Sequence, residues 1–312
     1  MVVAANSWPT WQQAWAVTVL CVVVAAGLRR VEWGTTGRGV ESVVRELAVL
    51  TALYGLWRTA KRLPLVQADG AIDRARSIVD LQSTLRLPSE LTLNELAVDH
   101  GAVGWSSSAY YAGLHVPATL AFLAWMFWRH RDHYGRWRNV LALTTLGCLI
   151  IRFWRVAPPR FLDDMGFVDV TVDHGMDVYG AVGTGVSGQF VAMPSIHVAW
   201  AAVVAFGVAA SSTSRWRWLF VAHLPVTVFV VTATGHHWWL DGAVALVVVG
   251  LAMTFDRHAR VWVARRILES RPRAHGGAEN APLPFGSSSG VLDVSHVGDD
   301  AGLPGVAPRE PV

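Results

Sequence analysis

His237 and Asp241, in the run Thr234-Gly-His-His-Trp-Trp-Leu-Asp241, are the side chains of this sequence best placed to do chemistry. Residues four apart share one face of a helix, so the carboxylate can hold the imidazole in one tautomer and support its cationic form. An imidazole held in that way is a candidate nucleophile. His236 competes for the role, but it lies five residues from Asp241 and off its helical face. A second histidine, His197, closes the string Ala192-Met-Pro-Ser-Ile-His197 and leads into a segment rich in alanine and valine. Proline suits a first helical turn, and the amides of a helix N-terminus bind anions. Ser195 can add a hydroxyl donor to such a site or serve only as a helix cap. His197 can contact the same anion or protonate a departing oxygen. The plainer alternative is a pair of interfacial histidines and an aspartate favoured by the helix dipole.

A third patch is Arg152-Phe-Trp-Arg-Val-Ala-Pro-Pro-Arg160. Arginine within an apolar stretch is costly and points to function. The double proline stops a helix and puts Arg160 in a loop. Guanidinium groups suit phosphate oxygens, so Arg160 and Arg152, with Ser195, are candidate phosphate ligands; the alternative for Arg152 is snorkelling to headgroups. Asp163 and Asp164 could hold a headgroup or an acceptor sugar, or merely solvate the loop. Asp169, Asp173, His174 and Asp177 lack a recognised ligand pattern, so no metal and no cofactor is expected. His115 and His223 each precede a proline by two residues and read as groups that hydrogen-bond across helices to a freed carbonyl, with catalysis as the alternative.

The elements that carry these residues are apolar. The 312 residues are 53% hydrophobic and 16% charged, too apolar for a soluble domain of this size. Several stretches approach the roughly 20 residues that cross a bilayer. The expected spans are 11–28, 40–57, 105–128, 139–156, 194–211, 216–234 and 238–255, and the fold class is an all-α polytopic bundle. The first span reads as an uncleaved anchor, because it lacks a basic leader and has Arg29 and Arg30 on its far side. The second carries Glu41, Arg45 and Glu46 in its first turns, which must lie at the interface or pair inside the bundle. Many of the 16 tryptophans flank spans, as in an interfacial belt: Trp8, Trp11, Trp105, Trp125, Trp128, Trp216, Trp218, Trp238 and Trp239. Cys21 and Cys148 lie in apolar stretches and read as packing residues. The net charge of +3 comes mostly from arginines in short loops. That pattern sets membrane orientation and does not form a nucleic-acid-binding face.

Arg129, Arg131, Arg136 and Arg138, then Arg215 and Arg217, then Arg257, Arg260, Arg265 and Arg266 fall on one side of a seven-span chain, which makes that side cytoplasmic. Arg58, Lys61 and Arg62 dissent. The three chemical patches then face outward together. Residues 64–100 read as one or two amphipathic helices broken near Pro88, either a gate for lipid access or a packed cap. From about 270 onward the composition is that of a disordered tail. The expected organisation is an N-terminal anchor span and loop over 1–39, a catalytic membrane domain over 40–256, and a basic segment with tail over 257–312.

Arg160 after a double proline, Pro194-Ser-Ile-His197 and His237-x-x-x-Asp241 resemble the three signature motifs of the type 2 phosphatidic acid phosphatase superfamily, over roughly residues 100–255. The resemblance implies a six-helix membrane core, to which the first span is an addition, and metal-independent chemistry through a phosphohistidine. It makes His237 the nucleophile, Asp241 its partner and His197 the acid, with Arg160, Arg152 and Ser195 on the phosphate. The chain departs from the usual pattern: Arg152 and Pro-Pro-Arg160 replace a Lys and an Arg-Pro, Ile196 replaces a glycine, and Val230-Val231 replace a Ser-Arg pair. These departures are similar to the inositol phosphorylceramide synthase branch. They imply a phosphotransferase that moves a phospho-headgroup from a lipid phosphoester to an alcohol or polyol. A lipid phosphatase or pyrophosphatase with water as acceptor, and a non-catalytic lipid-binding or transport protein, are the alternatives. The expected location is a bacterial plasma membrane, with the active site on the extracytoplasmic face.

Overall fold

The computed structural model describes residues 9–30, 35–60, 70–176 and 189–269. Among these the regular structure is helical, with one isolated parallel bridge between Val156 and Val191. Trp8, Lys61, Arg62, residues 64–69, Asp177 and the tail from 270, all named above, lie outside the described residues.

In the first helix the outward-facing side chains are large and the inward-facing ones small, the reverse of a helix folded in water. Helix α1 (Trp11–Arg30) buries Ala14, Thr18, Cys21 and Ala25 while Val19, Leu20 and Val23 are about 60% exposed. Its inward stripe lies on α2 (Thr35–Ala60), where Thr18 donates to Thr51 at 2.9 Å and the Trp15 indole donates to Thr59 at 3.2 Å. Small residues and hydroxyl bonds at the contact are how helices associate without a hydrophobic drive. The carboxylates of α2 are paired: Glu41 with Arg29 at 2.8 Å, and Glu46 with Arg138 at 2.6 Å.

Two expected spans are broken, each three residues ahead of a proline. Helices α5 (Gly101–Gly113) and α6 (His115–Arg129) meet at Leu114 before Pro117. Two later helices, α10 (Arg217–Val221) and α11 (His223–Ala233), meet at Ala222 before Pro225. A proline ring lacks the donor for the carbonyl four residues back and clashes with it, which accounts for both breaks. Elsewhere the expected spans fall on α7 (Arg131–Ile151), α9 (Ile196–Ser211) and α12 (Trp239–Glu269). Helices α1 and α12 are long and apolar enough to cross a membrane.

At the centre is α9, whose alanines and valines are buried on nearly all sides. Gly207 lets the ring of Phe122 in, since a Cβ there would meet it at 2.4 Å. Ala245, Val248, Val249 and Ala252 of α12 join the same core. A smaller core around Val156, Leu162, Phe167 and Trp238 lies under α3 (Ala71–Thr84). With α4 (Glu90–Asp99), this helix forms the amphipathic segment, broken at 85–89 around Pro88. The segment packs inward through polar side chains: Gln82, Glu90 and Asn94 are all buried. The tryptophan belt needs one correction. Trp105, Trp128, Trp216 and Trp218 are exposed, but Trp238 is buried and donates to the Ala157 carbonyl at 2.9 Å.

Candidate active site

Helix α11 ends in a glycine-centred turn that presents both histidines. Gly235 takes φ 75°, its amide donates to Thr232 at 3.0 Å, and the His236 amide donates to Val231 at 3.0 Å. That is the paired bonding of a Schellman motif, with glycine at its left-handed position. His237 follows, its own amide also on the Val231 carbonyl at 3.1 Å.

The His237 Nδ1 stands between two acceptors, the Ala192 carbonyl at 2.8 Å and Asp241 Oδ2 at 3.3 Å. The carbonyl can only accept, so Nδ1 carries a proton and Nε2 is the ring nitrogen outside these bonds. The same Asp241 oxygen accepts the Trp238 amide at 2.8 Å, bracing the first turn of α12. Asp241 is fully buried, and its Oδ1 has no hydrogen-bond partner among the described residues.

The three motif stretches meet through the backbone as well as through side chains. The Arg160 amide donates to the Gly235 carbonyl at 2.9 Å, and the Ser195 amide donates to the Asp241 carbonyl at 3.3 Å. Arg160 rises from a short 3-10 turn, Pro159–Phe161. Its guanidinium is buried, with Nε paired to Asp169 Oδ2 at 3.1 Å and Nη2 facing the Gln189 carbonyl at 3.5 Å. Asp169 also caps α8 (Val170–Asp173), accepting the Thr171 and Val172 amides. Ser195 is the N-cap of α9, its hydroxyl accepting the Val198 amide at 3.3 Å.

Imidazoles and one phenol ring cluster beside this anchor. The His197 ring lies 5.8 Å from that of His237 and 4.6 Å from that of His115. Tyr111 lies between His197 and His236, 4.5 Å from the first and 4.2 Å from the second. Burial pushes His236 well below the ordinary histidine range, and the charge of Arg160 acts in the same direction. His236 is therefore a neutral neighbour of the site.

The remaining expected residues are placed as follows. Arg152 is buried at the C-cap of α7, and the bonds that hold His237 and Asp241 do not include it. Asp163 and Asp164 are exposed, Asp164 pairing with Arg76 at 2.7 Å. His223 does bond across helices, but to the Tyr110 hydroxyl at 2.6 Å and not to a freed carbonyl. His115 differs from expectation: neither ring nitrogen has a hydrogen-bond partner among the described residues, and the ring stacks on Trp200 at 5.1 Å.

Residues 76–255, more than half of the sequence, match the PAP2 superfamily. The chain belongs to the PAP2 superfamily. Membership places it among phosphatases and phosphotransferases, with lipid phosphoesters as substrates and water or an alcohol as acceptor. No curated protein and no solved structure matches the chain significantly. The matched region takes in α4 as well as the three PAP2 motif stretches. Sequence reasoning passed over Tyr111, Asp169 as the partner of Arg160, and the buried pair Glu90 and Asn94. The last pair carried a signal, since polar residues four apart within an amphipathic segment share a face.

Proposed function

We propose that this PAP2 protein is a polytopic membrane enzyme that transfers a phospho-headgroup between a lipid and an alcohol through a phosphohistidine, in the manner of inositol phosphorylceramide synthases. The observation that carries the reading is the His237 Nδ1 held between Ala192 and Asp241, which leaves Nε2 as the nucleophile. In the first step Nε2 forms a bond to phosphorus, the phosphorus–oxygen bond to the lipid breaks, and His197 gives its proton to the departing oxygen. In the second, His197 takes the proton of the acceptor hydroxyl, whose oxygen bonds to phosphorus as the phosphorus–nitrogen bond breaks. Asp241 supports the positive charge on His237. Arg160 and Arg152 neutralise the phosphoryl oxygens and the Ser195 hydroxyl donates to them, and fixed cations of this kind supply most of the acceleration in phosphoryl transfer.

The acceptor is read as an alcohol because Val230 and Val231 are buried in the core where the usual motif has its Ser-Arg pair. A site with fewer cations is less suited to releasing the dianion of inorganic phosphate. The chemistry needs no metal. The helices broken at Leu114 and Ala222 are read as spans together with α1, α2, α7, α9 and α12, giving seven. The arginine loops are then cytoplasmic and His237 faces outward.

Product counting tests the reading. Purified protein in vesicles containing a lipid phosphoester labelled in its phospho-headgroup is expected to move the label onto an added alcohol, leaving the free lipid alcohol behind, and His237→Gln is expected to abolish the transfer. Inorganic phosphate as the main product with the alcohol present would make water the acceptor. Turnover that persists in His237→Gln would remove the covalent mechanism.

A further inference from the structure

The face of α4 that points inward is polar, which is unusual for a buried helix face. Glu90 and Asn94, four residues apart, are 3% and 1% exposed. Both carboxamide atoms of Asn94 are engaged: Nδ2 donates to the Val168 carbonyl at 3.0 Å and the Ala233 carbonyl at 2.9 Å, and Oδ1 accepts the Val168 amide at 2.9 Å. Val168 precedes Asp169, the carboxylate on Arg160. Ala233 is the last residue of α11, two before the glycine whose carbonyl receives the Arg160 amide. Glu90 Oε1 accepts the Trp239 amide at 2.8 Å and the Gln82 side-chain amide at 2.7 Å. Gln82 Oε1 accepts the Leu240 amide at 3.1 Å.

The first turn of a helix has amides without intrahelical partners. In α12 three successive ones are taken by side chains: Trp238 by Asp241, Trp239 by Glu90 and Leu240 by Gln82. One of these comes from the catalytic pair itself, and two come from α3 and α4. We infer that Glu90 and Asn94 are positioning residues, a clamp by which α4 fixes the His237–Asp241 turn against the loop carrying Arg160. The inference rests on the phosphohistidine reading. Buried polar contacts of this kind are costly to break, because the group left behind is unsatisfied. They also align their neighbours: outer-shell partners of metal sites change affinity or activity by about 10–100-fold when removed.

Orthovanadate, which takes the five-coordinate shape of phosphorus in transfer, gives a readout free of any lipid choice. Full-length protein in detergent is titrated with vanadate, and affinity is read from the rise in unfolding temperature. Wild type is expected to bind, and His237→Gln is expected to lose at least about tenfold in affinity. Glu90→Leu and Asn94→Leu should weaken binding by about tenfold or more, while Glu90→Gln, which keeps an acceptor for Trp239, should stay within about threefold. Gln82→Met, a milder change, should cost about threefold and covers the case in which a leucine variant does not fold. Folded Glu90→Leu, Asn94→Leu or Gln82→Met with wild-type affinity would overturn the clamp alone. Glu90→Gln as weak as Glu90→Leu would also overturn it. Equal binding by His237→Gln and wild type, or none by wild type, would remove the phosphohistidine reading and the clamp with it.

Discussion

At the scale of single residues, the two acceptors on His237 make a prediction about Asp241. In serine proteases, replacing the aspartate by asparagine lets the histidine take the wrong tautomer and costs about 10⁴-fold. Here the Ala192 carbonyl, at 2.8 Å, is the nearer partner. Asp241→Asn should therefore keep the tautomer and lose only the support of the charge, and its turnover is expected to fall by about 10²-fold. A loss as large as that of His237→Gln would mean that the carbonyl does not hold the proton. His197 is tested by leaving group. In single turnover, His197→Gln should slow the first step with an alkyl phosphoester by about 10²–10⁴-fold, yet leave release of p-nitrophenol from p-nitrophenyl phosphate nearly unaffected, because that leaving group departs without a proton. Equal losses on both substrates would deny His197 the role of acid. The side chains that gather around His237 were legible at this scale because their types and spacing are written in the sequence. Ala192 was not, since its part is played by a backbone carbonyl that any residue possesses. Asp169 was hidden for another reason: beside Asp173, His174 and Asp177 it looked like one of a group of potential ligands, and only folding gives it to Arg160.

At the scale of elements, Glu90 links α4 to the first turn of α12, and its ionisation should be visible in stability. Burial raises its carboxyl above the ordinary value of 4.5. A group whose folded value is raised contributes stability that is fully present below the unfolded value and is lost as pH rises through the folded one. Glu90→Gln removes that loss. Its unfolding temperature should match wild type near pH 4 and exceed it above neutrality; a gain of about 1 kcal/mol is a rise of roughly 2–4 °C. A constant difference across that range would show that Glu90 does not titrate as its burial requires. The turn at Gly235 is tested by Gly235→Ala. At φ 75° a side chain is strained, and its Cβ would lie 2.7 Å from the Val168 carbonyl and 3.4 Å from the Arg160 Cβ. The expected cost is about 1–3 kcal/mol, with a loss of activity beyond what destabilisation explains, because the Arg160 amide hangs from this residue. Activity equal to wild type in the folded fraction would separate the turn from the site. Element positions were largely readable from apolar runs. The breaks at Leu114 and Ala222 were readable in principle from Pro117 and Pro225, but apolarity alone runs straight through a proline.

At the scale of the whole molecule, α9 and α12 both begin at the site and both lead toward arginines. His197 and Asp241 sit in their first turns, while Arg215 follows α9 and Arg260 lies in the last part of α12. Sixteen residues of α9 span about 24 Å at 1.5 Å per residue, so the candidate site and Arg215 lie at opposite ends of this helix. The basic end is itself cross-braced: Asp256 accepts from Asn139 at 3.3 Å and from Arg260 at 2.7 Å. If that end is cytoplasmic, as the positive-inside rule requires, the site must face out. The native cysteines make this testable. Cys21 and Cys148 are both buried and should stay silent to a membrane-impermeant maleimide. Asp163 and Arg215 are both exposed, the first close to Arg160 and the second at the basic end. In intact cells expressing the full chain, Asp163→Cys should be labelled, and Arg215→Cys should be labelled only after the membrane is opened. The reverse pattern would invert the molecule and place phosphoryl transfer on the cytoplasmic leaflet. Equal labelling of both in sealed cells would mean that the two ends of α9 are not separated by a bilayer, and the spanning arrangement would fall.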